Sequence, residues 1–229
     1  MPKGKNSSKA SVSFSVDWFS EHIPVWERFL LSPAWRRSRK GGIKALLIGA
    51  YEGRVVQWLM QNLMSDTSRD IATVVDDFVY DSCVSFRGRP VWNPSANVKK
   101  VFEATIEPFR DQVRLNPSDA DDHVYDIVYI DARDSIHALE CGVHAMRVLR
   151  PGGILIFQNY VHNREHDTAC PRVGIDAFIS TYVRYIKILN NGFHLFIQRR
   201  SRAEELPKRV CHSEYYELPE HDKPICDKK

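Results

Sequence analysis

Residues 44–53 read KALLIGAYEG, an apolar run that ends in a turn bracketed by two glycines. Ala45, Leu46, Leu47 and Ile48 show no polar alternation and stop at Gly49, as expected of a strand buried on both faces. Ala50, Tyr51, Glu52 and Gly53 follow. Then comes RVVQWLMQNLM, in which Val55, Trp58, Leu59 and Leu63 fall at helical spacing. Strand, tight glycine turn and helix N-terminus together make the geometry that cradles a nucleotide-like ligand. Glycine-spaced turns also occur as plain turns, so the rest of the chain has to decide.

The chain has 229 residues, 43% of them hydrophobic, which suits one α/β domain with a proper core and short extensions. No apolar stretch approaches the ~20 residues of a membrane span. Residues 1–16 are basic and hydroxyl-rich, lack an apolar signal segment, and read as a disordered extension. The absence of acids before Asp17 leaves a mitochondrial presequence open, and the absence of arginine there argues against one. Cys83, Cys141, Cys170, Cys211 and Cys226 are scattered, with no C-x-x-C, which points to reduced thiols in an intracellular, cytoplasmic setting and away from structural zinc. A net charge of +3 does not by itself indicate nucleic-acid binding. Positive charge does cluster at Arg36, Arg37, Arg39 and Lys40, and again at Arg199, Arg200 and Arg202; these are solvated ends or a phosphate-contacting patch.

Between these ends the pattern alternates. The spacing predicts strands over 44–49, 71–76, 112–116, 126–131 and 153–158, with helices over 54–64, 95–110, 135–149 and 173–184. Residues 17–31, DWFSEHIPVWERFLL, form a further helix laid over the domain or its site. Such alternation implies a mostly parallel sheet with helices on both faces. The end departs from that rhythm: YIKILNNGFHLFIQRR at 185–200 is two apolar runs joined by Asn190-Asn191-Gly192, a turn that favours positive φ and a hairpin. The domain therefore spans 17–200, and 201–229, with Pro207, Pro219 and Pro224, reads as a mobile tail.

Ligands of open α/β sheets sit beyond the carboxyl ends of the strands. That rule selects Gly49 to Gly53, Asp76-Asp77, Ser118-Asp119, Asp131 and Gln158-Asn159. Asp76 closes the second strand, where an acid accepts hydrogen bonds from ribose hydroxyls. Asp131 closes VYID; Asp134 and Ser135 lie closer to the next helix start and are better placed to cap it.

Four blocks carry a resemblance: DWFSEHIPVWERFL, LLIGAYEGRVVQWL, DIVYIDARDSIHALECGVHAMRVLRPGGILIFQNY and PRVGIDAFISTYVRYIKILNNGFHLFIQR. In this order they resemble the class I S-adenosylmethionine-dependent methyltransferases, of the small stand-alone type whose first motif reads E-I-G-S-[FY]-E-G-R-S. The resemblance implies a Rossmann-like, mostly parallel seven-stranded sheet with an antiparallel hairpin at its C-terminal end. It also implies S-adenosylmethionine as cofactor. Gly49, Ala50, Tyr51, Glu52 and Gly53 would approach its methionine moiety, Asp76 and Asp77 its ribose, and Ser118 and Asp119 its adenine. Asp131 would border the methyl-transfer cleft.

The chain departs from that family in several places. Leu47 stands where the family has an acid, and the contact could move to Glu52. Ala132-Arg133-Asp134 replaces G-S-H, and Gln158-Asn159 offers neutral oxygens where related enzymes hold magnesium with carboxylates, so no metal is expected. The connection from Asp119 to Asp126 is too short for the usual helix. His162 and His166, in the loop after the fifth strand of the alternating pattern, are candidate proton acceptors beside Asp131. The expected activity is metal-independent O-methylation of a small hydroxylated acceptor. The alternative is a catalytically silent binding or assembly module, RNA-associated through the arginine clusters.

Overall fold

The structure, a computed structural model, describes residues 13–37, 41–79, 83–86, 89–92, 95–120, 124–161 and 170–206. Its centre is strand β1 (Lys44–Ile48), whose Ala45, Leu46 and Leu47 are buried on alternate faces. β1 pairs in parallel with β2 (Ile71–Val75) on one side and β6 (Tyr125–Ile130) on the other. β5 (Val113–Leu115) extends the β2 side, and β7 (Leu149–Phe157) the β6 side, both in parallel. β9 (Leu195–Arg199) and β8 (Ile186–Asn191) then complete the order β5-β2-β1-β6-β7-β9-β8, each pairing antiparallel. The seven-stranded, mostly parallel sheet with an antiparallel finish is the fold expected from the sequence.

The pleat divides the core into two. Ala45, Leu47, Val74, Tyr129, Ile156 and Phe196 pack on one face, against α1 (Ile23–Leu30), α3 (Arg54–Asn62) and α4 (Ser95–Ile106). Leu46, Val128, Ile130, Leu155, Phe157 and Ile197 pack on the other, against α5 (Ser135–Val148) and α6 (Arg172–Tyr182). A short helix, α2 (Pro33–Arg37), precedes β1. The connection from β5 to β6 holds no α-helix among its described residues, as its length foretold.

α1 lies over the sheet as core. Its Trp26 is fully buried and meets Phe19, Trp58 and Phe196 edge-on at 5.0–5.7 Å between ring centres. Its indole N–H donates to Nδ1 of His194 at 3.1 Å. Burial, with the His22 imidazole beside it, pushes His194 down to about 3, so the ring is neutral and accepts that bond.

Three expectations need correction. The Asn190-Asn191-Gly192 turn does not take positive φ. β8 continues through Asn191 with a register shift between Ile188 and Asn190, and the Asn190 amide holds the reversal by donating to the His194 carbonyl at 3.0 Å. A hairpin of β3 (Cys83–Phe86) and β4 (Arg89–Trp92), invisible to the alternation, lies between β2 and α4. The packed chain also starts before residue 17, because Val16 is buried and the Ser15 N–H donates to Glu52 at 2.7 Å. At the other end, Leu206 still bonds to the Arg184 carbonyl; residues 1–12 and 207–229 lie outside the described residues.

The two helices of the thinner layer cross tightly at their N-termini. A Cβ on Gly174 would overlap the Ser135 carbonyl, which is backbone and cannot swing away. Gly174→Ala is therefore expected to cost about 1–3 kcal/mol or more by overpacking, read as a lower urea midpoint with unchanged slope. An unchanged midpoint would mean that α5 and α6 do not meet here.

Candidate functional site

The strand order reverses between β1 and β6, and a crevice opens there at the carboxyl ends. It holds a cavity of about 170 Å³. β1 contributes Ile48 and Gly49, and the end of β2 contributes Val75, Asp76, Asp77 and Val79. Asp131 and Arg133 follow β6, and His137 comes from α5.

Gly49 has φ 79°, and a Cβ there would stand 2.9 Å from the Asp131 carbonyl oxygen, so only glycine lets the two strand ends approach. Asp76 organises the turn that follows. Its Oδ2 accepts from the N–H groups of Ala50 (2.7 Å) and Tyr51 (3.2 Å), and its Oδ1 from that of Phe78 (2.7 Å). Asn116, after β5, bonds both backbone groups of Asp76 through its side chain, at 2.7 and 2.8 Å. Asp76 is thus brought to the cleft as expected, but its carboxylate is committed to backbone donors. Asp77 is far more exposed: it lines the cavity, accepts the Val79 N–H on Oδ1 at 3.0 Å and pairs with Arg133 through Oδ2.

Backbone strain concentrates at the same place. Among the described residues, the non-glycines with positive φ are Tyr51, Phe78, Asn116 and Asn159, one after each of β1, β2, β5 and β7. Left-handed non-glycine residues cost of order 1 kcal/mol each and gather at functional sites. All four stand at the carboxyl ends of parallel strands, the edge of the sheet at which the crevice opens.

Asp131 is held on both sides. Its Oδ2 accepts from the Gln158 amide at 3.2 Å and its Oδ1 from the Asn159 amide at 3.3 Å. The residues read as a poor metal pair therefore point their N–H groups at the carboxylate. Burial at the cleft floor, and secondarily the nearby Asp76, push Asp131 up to about 7. Among the described residues no group of three His, Cys, Asp or Glu side chains is placed to hold a metal ion.

The other candidates are spread out. Gly53, at φ 84°, starts α3 and packs against Phe102 and Thr105 of α4, away from the cavity. Glu52 is buried and accepts the Ser15 N–H, and the Tyr51 hydroxyl lies 3.2 Å from the Ser15 hydroxyl, so residues 13–20 lie along the glycine turn. Asp17 and Arg54 pair there at 3.0 Å. Asp119 forms a two-pronged ion pair with Arg114 of β5 at 2.6 and 2.9 Å, and neither it nor Ser118 lines the cavity. Leu47 is fully buried in the α1–α3–α4 layer, which accounts for the missing acid: the position faces core. His162 and His166 lie outside the described residues.

Two polar cavity residues were not among the sequence candidates. Arg133 reaches Asp77 at 3.3 Å, spanning the ends of β6 and β2. His137, capped through its N–H by Asp134 at 2.8 Å, accepts the Arg133 N–H on Nδ1 at 3.3 Å. The signal that could have found His137 is its place at the start of the helix that follows Asp131. Of the arginine clusters, Arg199 and Arg200 donate to the carbonyls of Met146, Leu149 and Ile186, at the end of the sheet opposite the crevice.

Taken in chain order within the main sheet, the strands run third, second, first, fourth, fifth, seventh, sixth, with the seventh antiparallel. These are the strand order and polarity that the resemblance to class I methyltransferases led us to expect: a Rossmann-like, mostly parallel seven-stranded sheet with an antiparallel finish. No family model and no curated protein matches the chain. Among solved structures it is similar to an O-methyltransferase family protein from Burkholderia thailandensis, at 15% identity and TM-score 0.49, covering 79% of this chain and 56% of that one. It is also similar to the O-methyltransferase from Bacillus cereus in complex with SAH, at 18% identity and TM-score 0.48 (79% and 89% covered). The O-methyltransferase TomG from Streptomyces achromogenes, in complex with SAM, is similar at 14% identity and TM-score 0.48 (79% and 86% covered). The chain thus spans little more than half the length of the Burkholderia protein.

Proposed function

We propose that the crevice binds S-adenosylmethionine and that the chain methylates the oxygen of a small hydroxylated acceptor without a metal. The observation that carries this reading is Asp131: a carboxyl at the cleft floor, raised to about 7 and fixed by two amides, beside the strand-order switch. A proton acceptor works best when its pKa lies near the operating pH. The residues suit the cofactor, since Asp77 offers a carboxylate for vicinal hydroxyls and Gly49 leaves main chain at the cleft. Bound there, the cofactor would supply a methyl carbon on a sulfonium, so that a C–O bond forms as the S–C bond breaks and its electron pair returns to sulfur. Asp131 takes the proton that the acceptor hydroxyl releases. Holding the acceptor in line does much of the remaining work.

Gln158 and Asn159 direct N–H donors to Asp131 and add no anionic oxygen, which supports a site that works without a hard cation. Calorimetry with S-adenosylhomocysteine should give about −8 to −5 kcal/mol, undiminished by EDTA. Absence of heat at millimolar ligand would refute the cofactor, and activity lost to EDTA and restored by magnesium would refute metal independence.

One observation favours a second reading, a binding module that performs no transfer. The Arg133–Asp77 pair lies across the crevice. Cofactor binding without turnover on any hydroxylated acceptor would select it.

A further inference from the structure

The cleft carries two hydrogen-bond donors that proton removal does not require. Arg133 lines the cavity with its side chain 64% exposed. His137 lies one turn further on, and its Nδ1 accepts the main-chain N–H of Arg133. With that nitrogen accepting, the neutral ring carries its proton on Nε2 and presents a donor there, not a base. A guanidinium fork and an imidazole N–H lining one cavity suit a carboxylate, which accepts two bonds in one plane.

On the methyl-transfer reading above, we infer that the acceptor is a small hydroxy-carboxylate, with its carboxylate on Arg133 and His137 and its hydroxyl turned to Asp131. Asp76, Asp77 and Asp131 line the same cavity, so an anion is admitted only where the guanidinium lies against it. Arg133 therefore determines specificity. The same geometry orders the two ligands. Arg133 is held by Asp77 at 3.3 Å in a pair whose side chains are both more than half exposed, and such a pair holds weakly. Ribose hydroxyls on Asp77 would occupy the carboxylate and release the guanidinium. The cofactor thus prepares the anion site, and the acceptor binds second.

The test is calorimetry of ortho-, meta- and para-hydroxybenzoate and the matching hydroxybenzamides, against the chain with and without saturating S-adenosylhomocysteine. At least one hydroxybenzoate should bind the loaded protein tenfold or more tighter than its amide, and several-fold tighter than it binds the cofactor-free chain. Arg133→Gln, at an exposed position where folding can be checked by circular dichroism, should abolish the preference for the acid. Equal binding of acid and amide, a preference that survives Arg133→Gln, or no binding of any hydroxybenzoate at about 10 mM would each overturn the inference. So would an Arg133→Gln protein that loses S-adenosylhomocysteine tenfold, since the guanidinium would then belong to the cofactor. Failure of the wild type to bind S-adenosylhomocysteine is a separate result; it removes the methyl-transfer reading itself and this inference with it.

Discussion

Asp131→Asn should lower methyl transfer by more than tenfold, within the ~10²–10⁴ range of general acid–base effects, while S-adenosylhomocysteine affinity stays nearly intact. Asparagine keeps the shape and one accepting oxygen, so it can accept from only one of the Gln158 and Asn159 amides, and it cannot take a proton. The same substitution should change stability in a pH-dependent way. Asp131 titrates at about 7 when folded, against 3.8 ordinarily, so ionising it is harder in the native state. Below pH 3.8 both states are protonated and the group contributes nothing; between pH 3.8 and about 7 only the unfolded chain ionises, so the native chain bears a growing penalty that is complete above about 7. Asp131→Asn should therefore match the wild type near pH 4 and exceed it at pH 8 by of order 1–4 kcal/mol. Full turnover in the variant would remove Asp131 from the chemistry. Parallel stability curves would show that its carboxyl is not perturbed.

The second large effect belongs to Asp76. Asp76→Ala leaves the N–H groups of Ala50, Tyr51 and Phe78 without their carboxylate, at a buried position. Bonds to a charged acceptor are worth about 1.5–3 kcal/mol each and add incompletely, so a loss of about 3–5 kcal/mol is expected in urea denaturation. Cofactor affinity should fall with it, because the turn that places Gly49 and Tyr51 is no longer tied to β2. Asp77→Ala should weaken the cofactor by about 1–3 kcal/mol with little change in stability. The contrast separates the acid that builds the turn from the acid that meets the ligand. If Asp76→Ala lost affinity at full stability, the two assignments would be exchanged.

KALLIGAYEG was legible because a strand buried on both faces has a plain signature, and a glycine is required where a Cβ would strike Asp131. The parallel order and the antiparallel finish followed from alternation and the terminal pair of apolar runs. Less legible was the division of labour between adjacent residues. Asp76 and Asp77 are indistinguishable as letters; both line the cavity, and only the folded chain shows that Asp76 is buried under three backbone donors while Asp77 stays exposed with one. Gln158 and Asn159 were read for the metal they could not hold; their donors matter more, because they are aimed at Asp131. His137 escaped notice because helical periodicity locates a face of the helix but does not reveal that the face borders a cavity. The β3–β4 hairpin was missed for a related reason: short strands outside the main sheet carry no periodic signal of their own.

The most direct measurement is a crystal structure of the chain with S-adenosylhomocysteine bound. The ligand should lie across the carboxyl ends of β1, β2 and β6, with ribose hydroxyls on Asp77, the sulfur facing Asp131, and Arg133 released from Asp77. A ligand bound elsewhere, or a crevice in which Arg133 and Asp77 stay paired at millimolar ligand with no density between them, would contradict the account.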